Sequence, residues 1–201
     1  MDVQALFDQG DYADVIKKLK KGEPRPILAF AYQKSKLWEE AMDVWTTLIA
    51  KYPDAAEYFV ERGVCKFNLK FKHAILDFNE AIEMEPTNAY FYSCRAYIRD
   101  KTGDTEGSVA DYTKALDLDP EDAIALNNLG LAEQKLGFTA RARERFKYSD
   151  DLMGVKTIDS RDPDDYQKLV TTPPAKSTIW QEFKKMLSIK GFKDFWRDLR
   201  G

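Results

Sequence analysis

Histidine and cysteine are scarce in this sequence: 201 residues contain one histidine, His73, and two cysteines, Cys65 and Cys94. The cysteines lack the paired spacing of a metal or redox site, so we expect reduced thiols. A single histidine provides no converging set of titratable groups of the kind that catalysis requires, and the chain has no glycine-rich loop for phosphate. The sequence therefore predicts no catalytic residue, no metal and no cofactor.

Long apolar runs are also missing. No stretch of about 18 apolar residues is present, which argues against a membrane-spanning helix. The start, "MDVQALFDQGDYADV", is acidic and lacks the basic and apolar regions of a secretory signal. With a net charge of −3 the chain shows no overall signature of nucleic-acid binding. We expect a helix-rich globular protein of the cytoplasm that binds no nucleic acid.

What the chain does contain is a repeat. Pro53, Pro86 and Pro120 follow similar segments at intervals of 33 and 34 residues. Between the prolines a small residue, a loop and a second small residue recur within runs of helical periodicity. The first small residues are Ala29, Gly63, Ala96 and Gly130, and the second are Ala41, Ala74, Ser108 and Ala142. This pattern predicts pairs of antiparallel helices that approach closely, with Trp45, Phe78, Tyr112 and Phe146 wedged against the next pair and proline ending each second helix.

The segments "AYFYSCRAYIRDKTGDTEGSVADYTKALDLDP" (89–120) and "AIALNNLGLAEQKLGFTARARERF" (123–146) resemble the tetratricopeptide repeat, a helical hairpin of 34 residues. The resemblance covers about residues 2–153 and implies an all-α fold, a right-handed α-solenoid of antiparallel helix pairs with a C-terminal helical extension. The unit 56–88 lacks one residue in its turn, near Lys70. The expected units are a partial repeat at 1–21, a divergent repeat at 22–55, repeats at 56–88, 89–122 and 123–156, a linker with a short helix at 157–177, and a tail at 178–201.

The resemblance also implies that the first helix of each pair lines a concave groove for a protein or peptide partner. The expected groove residues are Phe30, Val60, Glu61, Val64, Tyr90, Cys94, Tyr97, Asn127, Asn128 and Leu131, together with Gln33 and Lys34 beside Phe30. One subclass of this family holds the C-terminal carboxylate of chaperones with cations, and the matching positions here carry none. We therefore expect no chaperone tail, but an apolar or amphipathic peptide or helix.

The tail, "IWQEFKKMLSIKGFKDFWRDLRG", combines aromatic and basic residues. Residues 176–201 carry a charge of +4 and the remainder −7. At about 100° per residue its apolar side chains form two stripes on opposite faces, so we expect two short amphipathic helices, at 178–189 and 192–199, with a bend at Gly191. The side chains expected to dock on the solenoid are Ile179, Trp180, Phe183, Leu187, Phe192, Phe195 and Trp196.

Four destinations remain open for this tail: docking on the protein's own solenoid, as an end cap or inside the groove; self-association; a membrane surface; or a foreign partner. The function that we expect is a non-catalytic scaffold or adaptor, with the groove occluded by its own tail in one arrangement. The alternative is a peripheral membrane adaptor recruited by the basic aromatic tail.

Overall fold

The computed structural model describes residues 2–154, which form ten α-helices and no strand within that range. The prediction of an all-α solenoid is confirmed for this part of the chain, whereas the linker and the tail lie outside it. The helices are α1 (Val3–Gln9), α2 (Tyr12–Leu19), α3 (Pro26–Lys34), α4 (Trp38–Lys51), α5 (Ala56–Asn68), α6 (Ala74–Met84), α7 (Ala89–Lys101), α8 (Thr105–Leu118), α9 (Ala123–Lys135) and α10 (Thr139–Met153).

The helices pack in the order of the chain, each against the next. In addition, α5 contacts α7, and α7 contacts α9, so the first helices of successive pairs lie side by side. Within residues 2–154 the second helices α6, α8 and α10 have no comparable contacts with one another. The first helices are therefore closer together and form the inner, concave side of the stack.

Left-handed backbone conformations mark the turn within each pair. Gly10, Gly103 and Gly137 have φ angles of 86°, 94° and 86°, and two lysines, Lys36 and Lys70, have φ angles of 61° at the corresponding places. Glycine adopts this conformation without steric cost, whereas a side chain with a Cβ is strained in it. The same turn is thus built in each pair, with or without glycine.

The missing residue of the 56–88 unit shortens a helix. In the pairs whose turns contain Lys36, Gly103 and Gly137, the second helix begins two residues after the left-handed residue. After Lys70, α6 begins only at Ala74, so it has 11 residues where α4 and α8 have 14. The deletion therefore removes about one turn from the start of α6 and leaves Phe71 half exposed outside the helix.

Prolines and aspartates set the other helix ends. Helices α4, α6 and α8 end two residues before Pro53, Pro86 and Pro120, respectively. Asp122 caps α9 by accepting hydrogen bonds from the backbone N–H groups of Ile124 and Ala125, both at 2.9 Å. These local signals stop and restart the helices at the spacing that the repeat requires.

The core runs along the stack between the two helices of each pair and on to the next pair. Trp45 and Phe78 are fully buried, and Tyr112 is nearly so. Phe78 lies against Gly63 of its own pair, and Phe146 lies against Gly130 in the same way. The sequence predicts that these aromatic rings pack against the next helix pair. The rings of Phe78 and Phe146 also fill the space beside the glycine of their own hairpin.

Buried ion pairs join the two helices of the central hairpins. Asp77 on α6 accepts two hydrogen bonds from the guanidinium of Arg62 on α5, at 2.8 and 2.9 Å, and one from Lys66. Asp111 on α8 is held by Arg95 in the same bidentate manner. In the next pair the acidic and basic residues exchange helices: Glu133 lies on the first helix, α9, and Arg145 on the second, α10.

Candidate partner-binding groove

The groove residues expected from the sequence lie on the first helices of the pairs, at different depths. Among them, Tyr90 and Tyr97 on α7 are 45% and 46% exposed. Seven others are partly buried: Phe30, Glu61, Val64, Cys94, Asn127, Asn128 and Leu131. The two tyrosines are thus the most exposed of the expected groove residues.

Val60 does not belong to this surface. Its side chain is fully buried and packs in the core cluster with Ala56, Phe78 and Phe91. A helix turns by about 100° per residue, so the neighbour of a groove residue points partly into the core. The expectation that Val60 contacts a partner is therefore wrong, whereas Glu61 beside it is only partly buried.

Gln33 on α3 connects the second pair of helices to the third. Its side-chain Nε2 donates to the carboxylate of Glu61 on α5 at 2.9 Å and to the backbone oxygen of the same residue at 3.3 Å. Cys65 Sγ lies 3.4 Å from the same nitrogen. One amide thus fixes the position of the Glu61 side chain between two repeats.

Burial raises the pKa of the Glu61 carboxyl to about 7, and the hydrogen bond from Gln33 and the charge of Lys34 offset part of that rise. The carboxyl is therefore divided between its charged and neutral forms near neutral pH. Burial also raises the pKa of Cys65 and of Cys94 to about 12. Both thiols are protonated at neutral pH and are poor nucleophiles.

On α7, Tyr90 and Cys94 are one helical turn apart, and each affects the pKa of the other. The neighbouring Cys94, burial and the charge of Glu61 raise the pKa of the Tyr90 hydroxyl well above its usual value. Glu61 acts on Cys94 in the same direction. The charge of the Glu61 carboxylate on α5 therefore influences two groups on α7.

Asn128 on α9 and Tyr97 on α7 each interact with neighbouring side chains. Burial raises the pKa of the Tyr112 hydroxyl, and the interaction with Asn128 offsets part of that rise. Tyr97 packs edge-on against Phe67 at 6.5 Å between ring centroids and has the Lys101 Nζ 5.3 Å from its own centroid. Gln33 on α3 thus bonds to α5, and α7 contacts both α5 and α9, so the expected groove residues lie on neighbouring first helices.

Two of the expected groove residues are partly core residues. Phe30 packs edge-on against Trp45, with 5.0 Å between the ring centroids, and Val64 packs against the cluster that contains Phe78. The bond from Gln33 to Glu61 has no signal of its own in the sequence, whereas the ion-pair partners of two hairpins recur at the repeat interval: Arg62 and Arg95 are 33 residues apart, and Asp77 and Asp111 are 34 apart. These polar residues recur at helix positions where apolar ones are usual.

A separate cleft of about 770 Å³ lies where the shortened start of α6 meets the turn between α7 and α8. Its lining includes Phe67, Phe71, Ile75, Ile98 and Arg99. The cleft occupies the space that the first turn of α6 would fill in a full-length repeat. It is on the side of the hairpin turns, away from Tyr90.

Within the described residues, three observations concern the features of enzymes, metal sites and membrane-spanning proteins. His73 is exposed and occupies the cap position before α6. Residues 2–154 contain no cluster of three or more metal-ligating side chains. No helix in this range is long and apolar enough to cross a membrane.

Comparison with known proteins gives a consistent picture. Residues 100–137 match the family model described as the TPR repeat. Among solved structures, one named "Crystal structure of MamA" aligns with a TM-score of 0.64 and 22% identity, covering 77% of this chain and 96% of that one. A MamA structure from Desulfovibrio magneticus RS-1 has a TM-score of 0.65 and 19% identity, covering 75% and 90%.

A third structure is the first TPR of Spaghetti (RPAP3) bound to an HSP90 peptide, SRMEEVD. It aligns with a TM-score of 0.51 and 27% identity and covers 54% of this chain and 87% of that one. The matched segment 100–137 spans the turn at Gly103 and the helices α8 and α9, which the fold shows to be parts of two stacked hairpins. The repeat signature and the stacked helix pairs agree: residues 100–137 match the TPR repeat, and the described residues have the fold of a TPR solenoid.

Proposed function

We propose that this protein is a scaffold or adaptor whose concave groove binds an apolar or amphipathic peptide or helix. The observation that carries the proposal is that α7, which contacts both α5 and α9, exposes the rings of Tyr90 and Tyr97, while Glu61 on α5 accepts a hydrogen bond from the Gln33 amide. Exposed aromatic side chains on a rigid inner face are typical anchors for a peptide. Asparagine amides such as that of Asn128 pair with peptide backbone groups.

The chemistry of this surface differs from what an acidic ligand requires. The RPAP3 structure holds the peptide SRMEEVD, which contains three acidic residues. Here the middle of the groove carries Glu61 and two tyrosines. An acidic peptide end would meet a carboxylate instead of a cation, so we propose a ligand of different charge.

The proposal is tested by selecting displayed random peptides of about 16 residues on the full-length protein. Binders are then measured against Tyr97→Asp and Asn128→Asp. We expect each groove variant to weaken binding by at least about tenfold, because one buried aromatic or amide contact contributes 1–2 kcal/mol. Leu76→Asp is the matched control, since Leu76 is 53% exposed on α6, a second helix.

The basic aromatic tail supplies the alternative function. The charge of +4 on residues 176–201 and the mixture of Trp, Phe and Lys suit an anionic membrane surface as well as an acidic protein surface. Docking through Ile179, Trp180 and Phe183, occlusion of the groove and membrane recruitment all stay predictions, because these residues lie outside the described range. A non-catalytic role and a cytoplasmic location are likewise predictions.

A further inference from the structure

Glu61 differs from several other buried carboxylates in having no cation beside it. Asp77 and Asp111 each contact two basic side chains, and Glu133 lies 3.6 Å from Arg145. Among residues 2–154, Glu61 forms no ion pair, and its hydrogen-bond donor is the neutral amide of Gln33. Removing a carboxylate from water without a cation is unfavourable, so such groups are usually paired.

This carboxylate is held in place without being neutralised. The Gln33 amide binds both the Glu61 side chain and its backbone oxygen, which limits the rotamers that the side chain can adopt. Lys34 influences Glu61 through its charge only, beyond ion-pair distance. The Glu61 carboxylate is therefore oriented by the Gln33 amide, and Glu61 is only partly buried, so a cation can reach it.

The surroundings of Glu61 suit a cation with an apolar stem. Tyr90 lies on the neighbouring helix α7, and the charge of Glu61 contributes to its raised pKa. Its ring is half exposed. A lysine or arginine head next to a carboxylate gains further from the face of an aromatic ring. The same helix already shows this arrangement, because Lys101 lies over the ring of Tyr97.

Long-range charge acts in the same direction. Outside residues 176–201 the chain carries −7, so a positively charged segment is attracted to it as it approaches. From these observations we infer that the groove selects peptide segments that place a lysine or arginine side chain against Glu61, between Gln33 and the ring of Tyr90, with apolar residues on either side. This inference rests on the proposed function, since it specifies which peptides the groove binds.

The peptide selection described above provides the first test, carried out in parallel on the full-length protein and on Glu61→Gln. We expect wild-type binders to share one position enriched in Lys or Arg, and we expect that enrichment to vanish for Glu61→Gln while the apolar positions persist. The substitution keeps an acceptor for Gln33 and removes only the charge. Circular dichroism and thermal unfolding establish that the variant is folded.

Binding affinities then measure the coupling between the basic residue of the peptide and Glu61. A selected peptide and its counterpart with the basic residue replaced by norleucine are titrated against wild type, Glu61→Gln and Glu80→Gln. We expect the replacement to weaken binding to wild type and to Glu80→Gln by about tenfold, and to have little effect on Glu61→Gln. Glu80 is an exposed carboxylate on α6 and is the matched control.

The outcomes separate the two proposals. Groove-dependent binders that show no basic position, or whose basic position persists in Glu61→Gln, overturn this inference and leave the proposed function intact. Absence of binders, or binders insensitive to Tyr97→Asp and Asn128→Asp, overturns the proposed function and this inference with it. A peptide with the sequence of residues 178–201 serves as a further probe, and its Glu61-dependent binding would identify the tail as one ligand of this class.

Discussion

Gly63 on α5 lies directly against the ring of Phe78 on α6: a methyl group placed on Gly63 would be 2.7 Å from Phe78 Cε2. Phe78 is fully buried and packs with residues of the next repeat, so its ring has no free space into which to retreat. Two helices of one hairpin thus approach each other at a residue without a side chain.

We predict that Gly63→Ala lowers the free energy of unfolding by about 1–3 kcal/mol, the usual cost of adding a methyl group to a filled core. Urea unfolding followed by circular dichroism measures the change. Gly22→Ala is the control, because the nearest atom to a Cβ there is 3.5 Å away, an ordinary contact. Equal effects of the two substitutions would show that the approach of α5 to α6 is not tight.

Asp111 is the centre of a buried charge network on α7 and α8, held by Arg95 at 2.7 and 2.8 Å and by Arg99 at 2.9 Å. Asp111→Asn removes the negative charge and leaves two guanidinium groups nearly buried without it. We predict a loss of about 3–5 kcal/mol in unfolding free energy, as measured by urea denaturation.

The control for Asp111 is Glu23→Gln, since the ion pair between Glu23 and Lys51 is exposed to solvent on both sides. We expect no measurable change there, because water and salt screen exposed pairs. A loss at Glu23 comparable to that at Asp111 would indicate that burial does not determine the strength of these pairs.

Lys36 and Lys70 occupy left-handed turn positions that hold Gly103 and Gly137 in other pairs. We predict that Lys36→Gly and Lys70→Gly each raise the free energy of unfolding by up to about 1 kcal/mol, because glycine relieves the strain of a positive φ. Thermal unfolding should show a higher midpoint. The reverse substitution, Gly103→Lys, is expected to lower the midpoint, and a stabilising Gly103→Lys would contradict the argument.

Because the pKa of Glu61 is raised to about 7, we expect the stability of the protein to depend on pH even without a ligand. Because the folded pKa exceeds the unfolded value near 4.5, folding disfavours the charged form. The cost is absent below about pH 4.5, grows as pH rises, and is complete above about pH 7. Lys34 and the neutral groups Cys65, Tyr90 and Cys94 surround this carboxyl.

We therefore expect Glu61→Gln to stabilise the protein at pH 8 by about 1–2 kcal/mol more than at pH 5. Chemical denaturation of wild type and variant at both pH values measures the difference. Glu80→Gln provides the baseline for general effects of pH on the fold. A pH-independent effect of Glu61→Gln would mean that the carboxyl titrates normally.

The tail is tested through its aromatic residues. If it binds a membrane surface, the full-length protein should float with vesicles of anionic lipid, and Phe195→Asp should abolish flotation. If it docks on the solenoid instead, wild type should not float and Trp180→Asp should lower the melting midpoint. The failure of both effects would leave self-association or a foreign partner as the destination.

Much of the fold follows from local signals in the sequence. Pro53, Pro86 and Pro120 mark the ends of second helices, and the small residues at Gly63 and Gly130 mark where two helices meet. Such features are readable because they depend on backbone geometry and on a period of 33 or 34 residues. The inner position of Glu61, Tyr90 and Tyr97 follows from the same period.

Other properties depend on which side chains face one another across repeats. The burial of Val60 beside the accessible Glu61 depends on the rotation of α5 against α7, and a shift of one residue decides between core and groove. The bidentate pairs at Asp77 and Asp111 join residues 15 and 16 positions apart, and the reversed pair at Glu133 follows no repeat pattern. The first two pairs recur at the repeat interval, but periodicity alone does not predict that their side chains meet across the hairpin.

The sequence by itself therefore determined a solenoid of helix pairs with a groove on its inner side, because helix ends and close contacts are set by residues near one another in the chain. Only the tertiary structure decided that Gln33 reaches Glu61 at 2.9 Å across 28 residues and leaves that carboxylate without a cation. The reason is physical: the charge state and position of a partly buried group depend on every element packed around it, and those elements come from three different repeats.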